Sequence, residues 1–209
     1  MRFSLSMKTV LAILGLIFLG CATTGSQKPP EGAKLVELKI PELGIEAEWK
    51  VVINGEESIQ SGVSTKEEID GVLSFYWKNP EGEDTYIYEL ESMNVLGMWS
   101  HKNKEWLRRH KPNNGNKQYP LWAGKEYRAS YNFSRKNGWS GQVTSWVNVE
   151  DWETVTVPAG TFETLKIVQR NKNYSYTHWF APELGMGVKF KVTSKEGNRS
   201  GELLKVVKP

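Results

Sequence analysis

From Ile45 the chain alternates Ile45, Ala47, Trp49, Val51 and Ile53 against Glu46, Glu48, Lys50, Val52 and Asn54, the period of two that gives a strand one buried face. Asn54-Gly55 follows, a dipeptide suited to a type I′ turn because both central residues need positive φ, and Glu56 to Val63 is the natural return strand. Ser64 to Asp70 (STKEEID) is polar and compatible with a helical turn capped by Ser64 or Thr65, with too little apolar surface for a packed helix. Aromatic-rich runs at Val72 to Lys78 and Thr85 to Leu90 flank Asn79-Pro80-Glu81-Gly82 and form a second hairpin. Met93 to Trp99 and Glu105 to Arg109 continue the meander, and Lys111 to Tyr119 (KPNNGNKQY) is a loop by composition.

Beyond that loop Tyr127, Ala129, Tyr131 and Phe133 face one way and Glu126, Arg128, Ser130 and Asn132 the other. Asn137-Gly138 turns the chain into Gln142 to Val149. Thr154 to Val157, Phe162 to Gln169, Tyr174 to Phe180, Val188 to Thr193 and Leu203 to Val207 complete the set, each bounded by Gly, Pro or Asn. No helical run of ten residues follows Cys21. The prediction is an all-β fold, about a dozen short antiparallel strands in a strongly curved sheet that forms a half-barrel, barrel or sandwich.

The N-terminus follows a different plan. Arg2 and Lys8 precede the apolar run Val10 to Leu19, which ends in Gly20-Cys21, the order of an export signal. The run is too short to span a bilayer as a helix, which needs roughly 20 apolar residues. Phe18-Leu19-Gly20-Cys21 resembles the bacterial lipobox, although Phe and Leu stand where Leu and Ala or Ser are commoner. The resemblance implies cleavage between Gly20 and Cys21, a diacylglyceryl thioether on Cys21 and an acyl chain, such as palmitate, on its new amino group. Cys21 is the sole cysteine, so it cannot be half of an internal disulfide. Each buried acyl CH₂ contributes about 0.8 kcal/mol and one chain anchors only marginally, so two or three chains make anchoring stable. Ala22, where Asp would favour the inner membrane, implies the outer membrane in a bacterium that has one.

The chain thus divides into a lipoprotein signal peptide at 1–20, a flexible tether at 21–33 rooted in lipidated Cys21, and a single all-β domain at 34–209. The tether has no large apolar residue and carries Pro29-Pro30, the composition of a solvated leash. Without residues 1–20 the chain loses Arg2 and Lys8 from its 27 basic residues, which nearly balances its 24 acidic ones. Because those charges are interspersed, nucleic acid is an unsuitable partner.

Val155-Thr156-Val157-Pro158-Ala159-Gly160-Thr161-Phe162, Leu165-Lys166-Ile167, and His178-Trp179-Phe180-Ala181-Pro182-Glu183-Leu184-Gly185 with Val188-Lys189 resemble a family of exported bacterial proteins, often lipoproteins, called TapB-like. Pro120-Leu121 and Gly124-Lys125 look like that family's lead-in, so the similarity spans about 120–189. Met186-Gly187 departs from the pattern and lengthens a turn. The resemblance implies a sheet-rich domain and no activity. Turn chemistry accounts for Pro158 and Gly160, and Phe162 can plug the core beneath them.

Catalytic and metal chemistry find no motif. His101, His110 and His178 are isolated, and no HxH, HExxH or cysteine pair occurs. Gly138-Trp139-Ser140-Gly141 lacks the GxSxG spacing. Acidic clusters at Glu81, Glu83, Asp84 and at Glu150, Asp151, Glu153 read as solvated charge, and no phosphate loop or other cofactor motif is present. The unusual feature is aromatic: nine Trp and eight Tyr, all after the signal. They either fill the sheet core and its cross-strand pairs or place some indoles, such as Trp99, Trp106, Trp122 and Trp139, on an open face that contacts a ligand. The expectation is a non-enzymatic lipoprotein of the cell envelope that binds a hydrophobic or lipidic ligand or an envelope-assembly partner. A carbohydrate- or peptidoglycan-binding module is the alternative, with an envelope hydrolase behind it.

Overall fold

The computed structural model describes residues 27–82 and 84–209. The alternation after Ile45 becomes β1 (Glu46–Ile53), and Asn54 and Gly55 both take positive φ, 52° and 93°, as a type I′ turn requires. The return strand β2 (Glu56–Ile69) is much longer than its apolar pattern suggests. It runs straight through Ser64–Ile69, so no helical turn forms there. Asp70 and Gly71 repeat the positive-φ pair at 52° and 74° and turn the chain into β3 (Val72–Lys78). Ser64 secures the middle of β2: its Oγ accepts from Ile45 N at 2.8 Å and donates to Glu42 O at 2.6 Å.

The remaining strands are β4 (Thr85–Glu89), β5 (Val95–Ser100), β6 (Glu105–Lys111), β7 (Glu126–Arg135), β8 (Ser140–Val157), β9 (Gly160–Arg170), β10 (Tyr174–Ala181), β11 (Met186–Ser194) and β12 (Gly197–Val207). Every strand pairs antiparallel with its sequence neighbours, and β12 returns to β1, so the meander closes into a barrel. Among the described residues, closure leaves no strand edge to pair with another chain.

Two strands carry bulges that the sequence pattern broke or blurred. The runs at 142–149 and 154–157 are one strand, β8, whose register against β9 jumps from Val149↔Ile167 to Trp152↔Leu165. Lys166 bridges this bulge, 2.9 Å from Glu150 and 3.3 Å from Glu153, so that acidic cluster is partly ion-paired instead of simply solvated. The Met186-Gly187 departure is absorbed between β10 and β11, where Trp179 pairs with Lys189 but Phe180 with Gly187, leaving Val188 as the extra residue. Val188 is fully buried.

Apolar side chains fill the barrel unevenly. At one end Ala47, Phe162, Ala181, Met186, Val188 and Leu203 close the floor. Against β7 to β9, Leu121, Val147, Val149, Leu165 and Ile167 pack with Val36, whose backbone bridges Leu121. A third cluster of Ile69, Tyr76, Ile87 and Leu96 lies on the opposite face of β3 and β4 from Phe75 and Tyr88. The sheet therefore curls enough here to cover both its faces. That accounts for the consecutive rings Phe75-Tyr76-Trp77 in β3: where a strand is covered on both sides, neighbouring positions are both apolar.

Candidate functional site

The half of the barrel not filled by the β7 to β9 cluster holds a cavity of about 470 Å³. Gln60, Tyr86 and Arg199 are exposed at its mouth, while Phe75, Met93 and Phe180 lie buried at its depth. Its volume falls within the range of small-molecule sites, roughly 300–1,000 Å³.

One wall is a run of contacting rings. Trp49 on β1 lies 6.3 Å from Phe190 on β11, Phe190 lies 6.3 Å from Tyr176 on β10, and Tyr176 stacks on His178 at 5.1 Å and 20°. The alternation of β10 sends Tyr176, His178 and Phe180 inward together. Opposite them Phe75 meets Trp77 edge-on at 5.8 Å and Tyr88 at 6.2 Å.

The polar groups at the deep end come from the long connection at 112–125. Asn94 clasps the Lys117 backbone from both sides: Lys117 N donates to its Oδ1 at 2.7 Å, and its Nδ2 donates to Lys117 O at 2.9 Å. Asn114 docks beside it on Val95, accepting from Val95 N at 3.0 Å and donating its own backbone N–H to Val95 O at 2.9 Å. Thus fixed, Lys117 extends its ammonium into the barrel, 5.4 Å from the Phe180 ring and 5.9 Å from that of Tyr88. Its hydrogen bond is to Met93 O at 3.3 Å. Desolvation lowers its pKa from 10.5 to about 8.

His178 is buried at 8% exposure, and neither ring nitrogen has a hydrogen-bond partner among the described residues. Burial, reinforced by the Lys117 charge, holds its pKa at about 3, so the ring is neutral at physiological pH. Asn116 Oδ1, also lining the cavity, is buried and unpaired. Lys125 is the useful contrast. Its ammonium donates to Gln118 O and to Pro120 O and sits 4.4 Å over Trp122, so its bonding serves to hold the connection in place.

The aromatic residues singled out in the sequence are scattered. Trp99 and Trp106 pack on each other at 5.2 Å, and Trp106 also donates to Asp70 at 2.9 Å and lies under Arg109. Trp122 is 3% exposed. Trp139 is exposed at the β7–β8 turn, with Phe133 at 4.8 Å and Arg135 at 4.5 Å. None of the four lines the cavity, whose indoles are Trp49 and Trp77. Gly20, Cys21 and Glu83 lie outside the described residues. His101 packs against Tyr76 and shares a hydrogen bond with Thr85, and His110 is bound to Val95 O, so the three histidines do not converge. No group of three His, Cys, Asp or Glu among the described residues is placed to hold a metal ion.

The outer face carries cross-strand ion pairs, Lys50–Glu202 at 2.7 Å and Lys205–Glu48 at 4.0 Å beside those of Lys166. A barrel that crosses a membrane presents an apolar band there instead.

No family model matches the chain, and no curated protein does. The TapB-like resemblance therefore stands on its quoted residues alone. Among solved structures, the chain is similar to a candidate lipoprotein of Parabacteroides distasonis, with a TM-score of 0.45 and 14% identity over 83% of this chain and 100% of that one. It is similar at 0.42 and 10% to the hypothetical lipoprotein YmcC of Escherichia coli, over 80% of this chain and 90% of that one. A candidate exported protein with a YmcC-like fold from Bacteroides fragilis matches at 0.45 and 10%, over 83% and 100%.

Proposed function

We propose that this chain is a lipid-anchored protein of the cell envelope whose barrel holds a hydrophobic or amphipathic small molecule. The cavity carries this reading: it is roomy, walled by aromatic rings and open at one end of a barrel whose outer face is charged. Trp49, Phe190 and Tyr176 offer contiguous aromatic surface of the kind that binds alkyl chains or rings. The anchor rests on the lipobox-like Phe18-Leu19-Gly20-Cys21 and on Cys21 being the sole thiol. Residues 21–33 then serve as the tether, and the outer membrane is the destination where the organism has one.

Native mass spectrometry of the full protein purified from its own envelope tests both halves. The expected spectrum shows a mature chain beginning at acylated Cys21 and a second, non-covalent mass that denaturation releases. A leader cut elsewhere, with no acyl mass, removes the anchor. An empty barrel that also leaves a hydrophobic fluorescent probe unbound removes the ligand.

A second reading is a sugar-binding face on the outside of the barrel. Trp146 is 62% exposed and lies under Arg128 at 4.9 Å, and Trp139 is comparably open. Co-sedimentation with isolated cell wall that weakens in Trp139→Ala supports that face, and sedimentation indifferent to both indoles rejects it.

A further inference from the structure

We infer that the barrel takes a single-chain amphiphile bearing a carboxylate, bound head-down with its carboxylate between Lys117 and His178 and its chain along the ring wall toward the mouth. This rests on the reading of the barrel as a ligand carrier and names the ligand's chemistry.

The deep end of the cavity is organised for an anion. Lys117 is half-buried, and its ammonium, set between the rings of Phe180 and Tyr88, has lost much of its hydration, while the carbonyl of Met93 satisfies only one of its three N–H groups. Two carboxylate oxygens would accept from the remaining donors in a low-dielectric surrounding where such bonds are strongest. His178 adds a ring N–H with no acceptor among the described residues, on the same inward row as Phe180. A polar nitrogen pair left unpaired at 8% exposure costs stability unless something in the cavity meets it.

The placement of Lys117 is itself built. Asn94 grips its peptide at both hydrogen-bonding groups, and Asn114 fastens the adjacent turn to β5. Such preorganisation holds a charge against the pull of solvent, which a lysine serving only the fold would follow by snorkelling outward. Lys125 shows the structural alternative on the same connection, with its ammonium hydrogen-bonded to two carbonyls.

The rest of the cavity suits one chain. Between Lys117 and the mouth the walls include Trp49, Trp77, Tyr176 and Phe190, whose ring faces take an alkyl chain by apolar contact. A single interior ammonium matches a monoanionic head, since other cationic side chains at the cavity, Lys189 and Arg199, are solvent-exposed.

The test uses the full lipidated protein in nanodiscs, with a photoactivatable diazirine analogue of hexadecanoic acid and the methyl ester of the same probe. After irradiation, adducts are mapped by peptide mass spectrometry to β1, β3, β10 and β11. The acid is expected to label these strands at least about tenfold more than the ester, and Lys117→Met to lower acid labelling about as much, while Lys117→Arg retains most of it. Equal labelling by acid and ester, unchanged in Lys117→Met, overturns the headgroup assignment and leaves the apolar-carrier reading standing. If neither probe labels the lining, the carrier reading falls as well. The acid-to-ester contrast is read on the unsubstituted protein, so it decides the matter even should Lys117→Met fold poorly.

Discussion

The ring of Phe190 occupies the space that a side chain at Gly201 would need: a Cβ at Gly201 would lie 2.3 Å from Phe190 Cε1. The two residues pair across β11 and β12, and Gly201 pairs on its other side with Val51 of β1. The glycine lets Phe190 lean over β12 and meet Trp49, which makes the ring wall continuous. Gly201 does not have positive φ, so alanine there is resisted by contact alone. Gly201→Ala is expected to cost about 1–3 kcal/mol in denaturant unfolding, as overpacking does, and to weaken binding of a hydrophobic fluorescent probe. Phe190→Leu in the same chain should restore stability without restoring probe binding. An unchanged midpoint for Gly201→Ala alone would show that the wall yields freely.

Asn94 is the residue on which the placement of Lys117 depends. Truncating Asn94→Ala removes both hydrogen bonds to the Lys117 peptide and leaves its N–H and carbonyl unpaired in a half-buried site. A loss of about 1–3 kcal/mol is expected, with faster amide hydrogen exchange across 113–118 than across β8. Exchange that accelerates uniformly over the barrel would instead mean that Asn94 supports the fold as a whole.

The strands were legible because a half-buried strand writes a period of two, as at Ile45–Ile53 and Tyr127–Phe133, and because Asn54-Gly55 marks its own turn. Asp70-Gly71 gives the same signal. It is masked by the polarity of Ser64–Ile69, a stretch that is strand because pairing with β3 satisfies its backbone whatever its side chains. Barrel closure between β1 and β12 leaves no mark in either strand, since any antiparallel neighbour fits the pattern. The site was far less visible. Lys117 and Asn116 sit in a run of Asn, Gly and Lys that reads as solvated loop, and Asn94 lies at a turn. The available clue was length: residues 112–125 join two strands with no strand of their own, and long connections of that kind are commonly functional. Trp49 and Trp77 looked like core because their inward side is indistinguishable, from sequence, from a filled interior.

The buried ammonium sets a pH dependence of stability. Lys117 has a folded pKa of about 8 against 10.5 for the ordinary group, so the unfolded chain binds more protons between those values. The penalty is present in full below pH 8 and is relieved as pH rises from 8 toward 10. Stability should therefore climb over that window by up to a few kcal/mol, at about 1.4 kcal/mol per pH unit. Tyr176 and Tyr119, both pushed up by burial, limit the gain once unfolded tyrosines ionise near pH 10. Lys117→Met should be more stable than the unsubstituted chain at pH 7 and lose most of the rise from pH 8 to 10, keeping only the smaller contribution of Lys125, which burial also lowers. A variant whose melting temperature still rises as steeply over that window assigns the effect to another group.

At the acid end the same reasoning applies to two neutral imidazoles. His178 and His110 have folded pKa values of about 3 and about 4, both lowered chiefly by desolvation, against 6.5 when unfolded. Lys117 adds to the depression at His178, and Arg108 and Arg109 add to it at His110. Because the unfolded chain takes up these protons first, stability falls as pH drops below 6.5, by on the order of 3 kcal/mol per histidine at pH 4. His178→Phe removes one of the two slopes and, by deleting two unpaired nitrogens, should also raise the melting temperature at pH 7. His110→Phe removes the other slope but forfeits the hydrogen bond to Val95 O, so it should gain less at neutral pH. Melting curves recorded from pH 7 to pH 4 separate these outcomes. If both variants retain the full acid slope of the unsubstituted protein, the proton uptake lies outside the two buried rings.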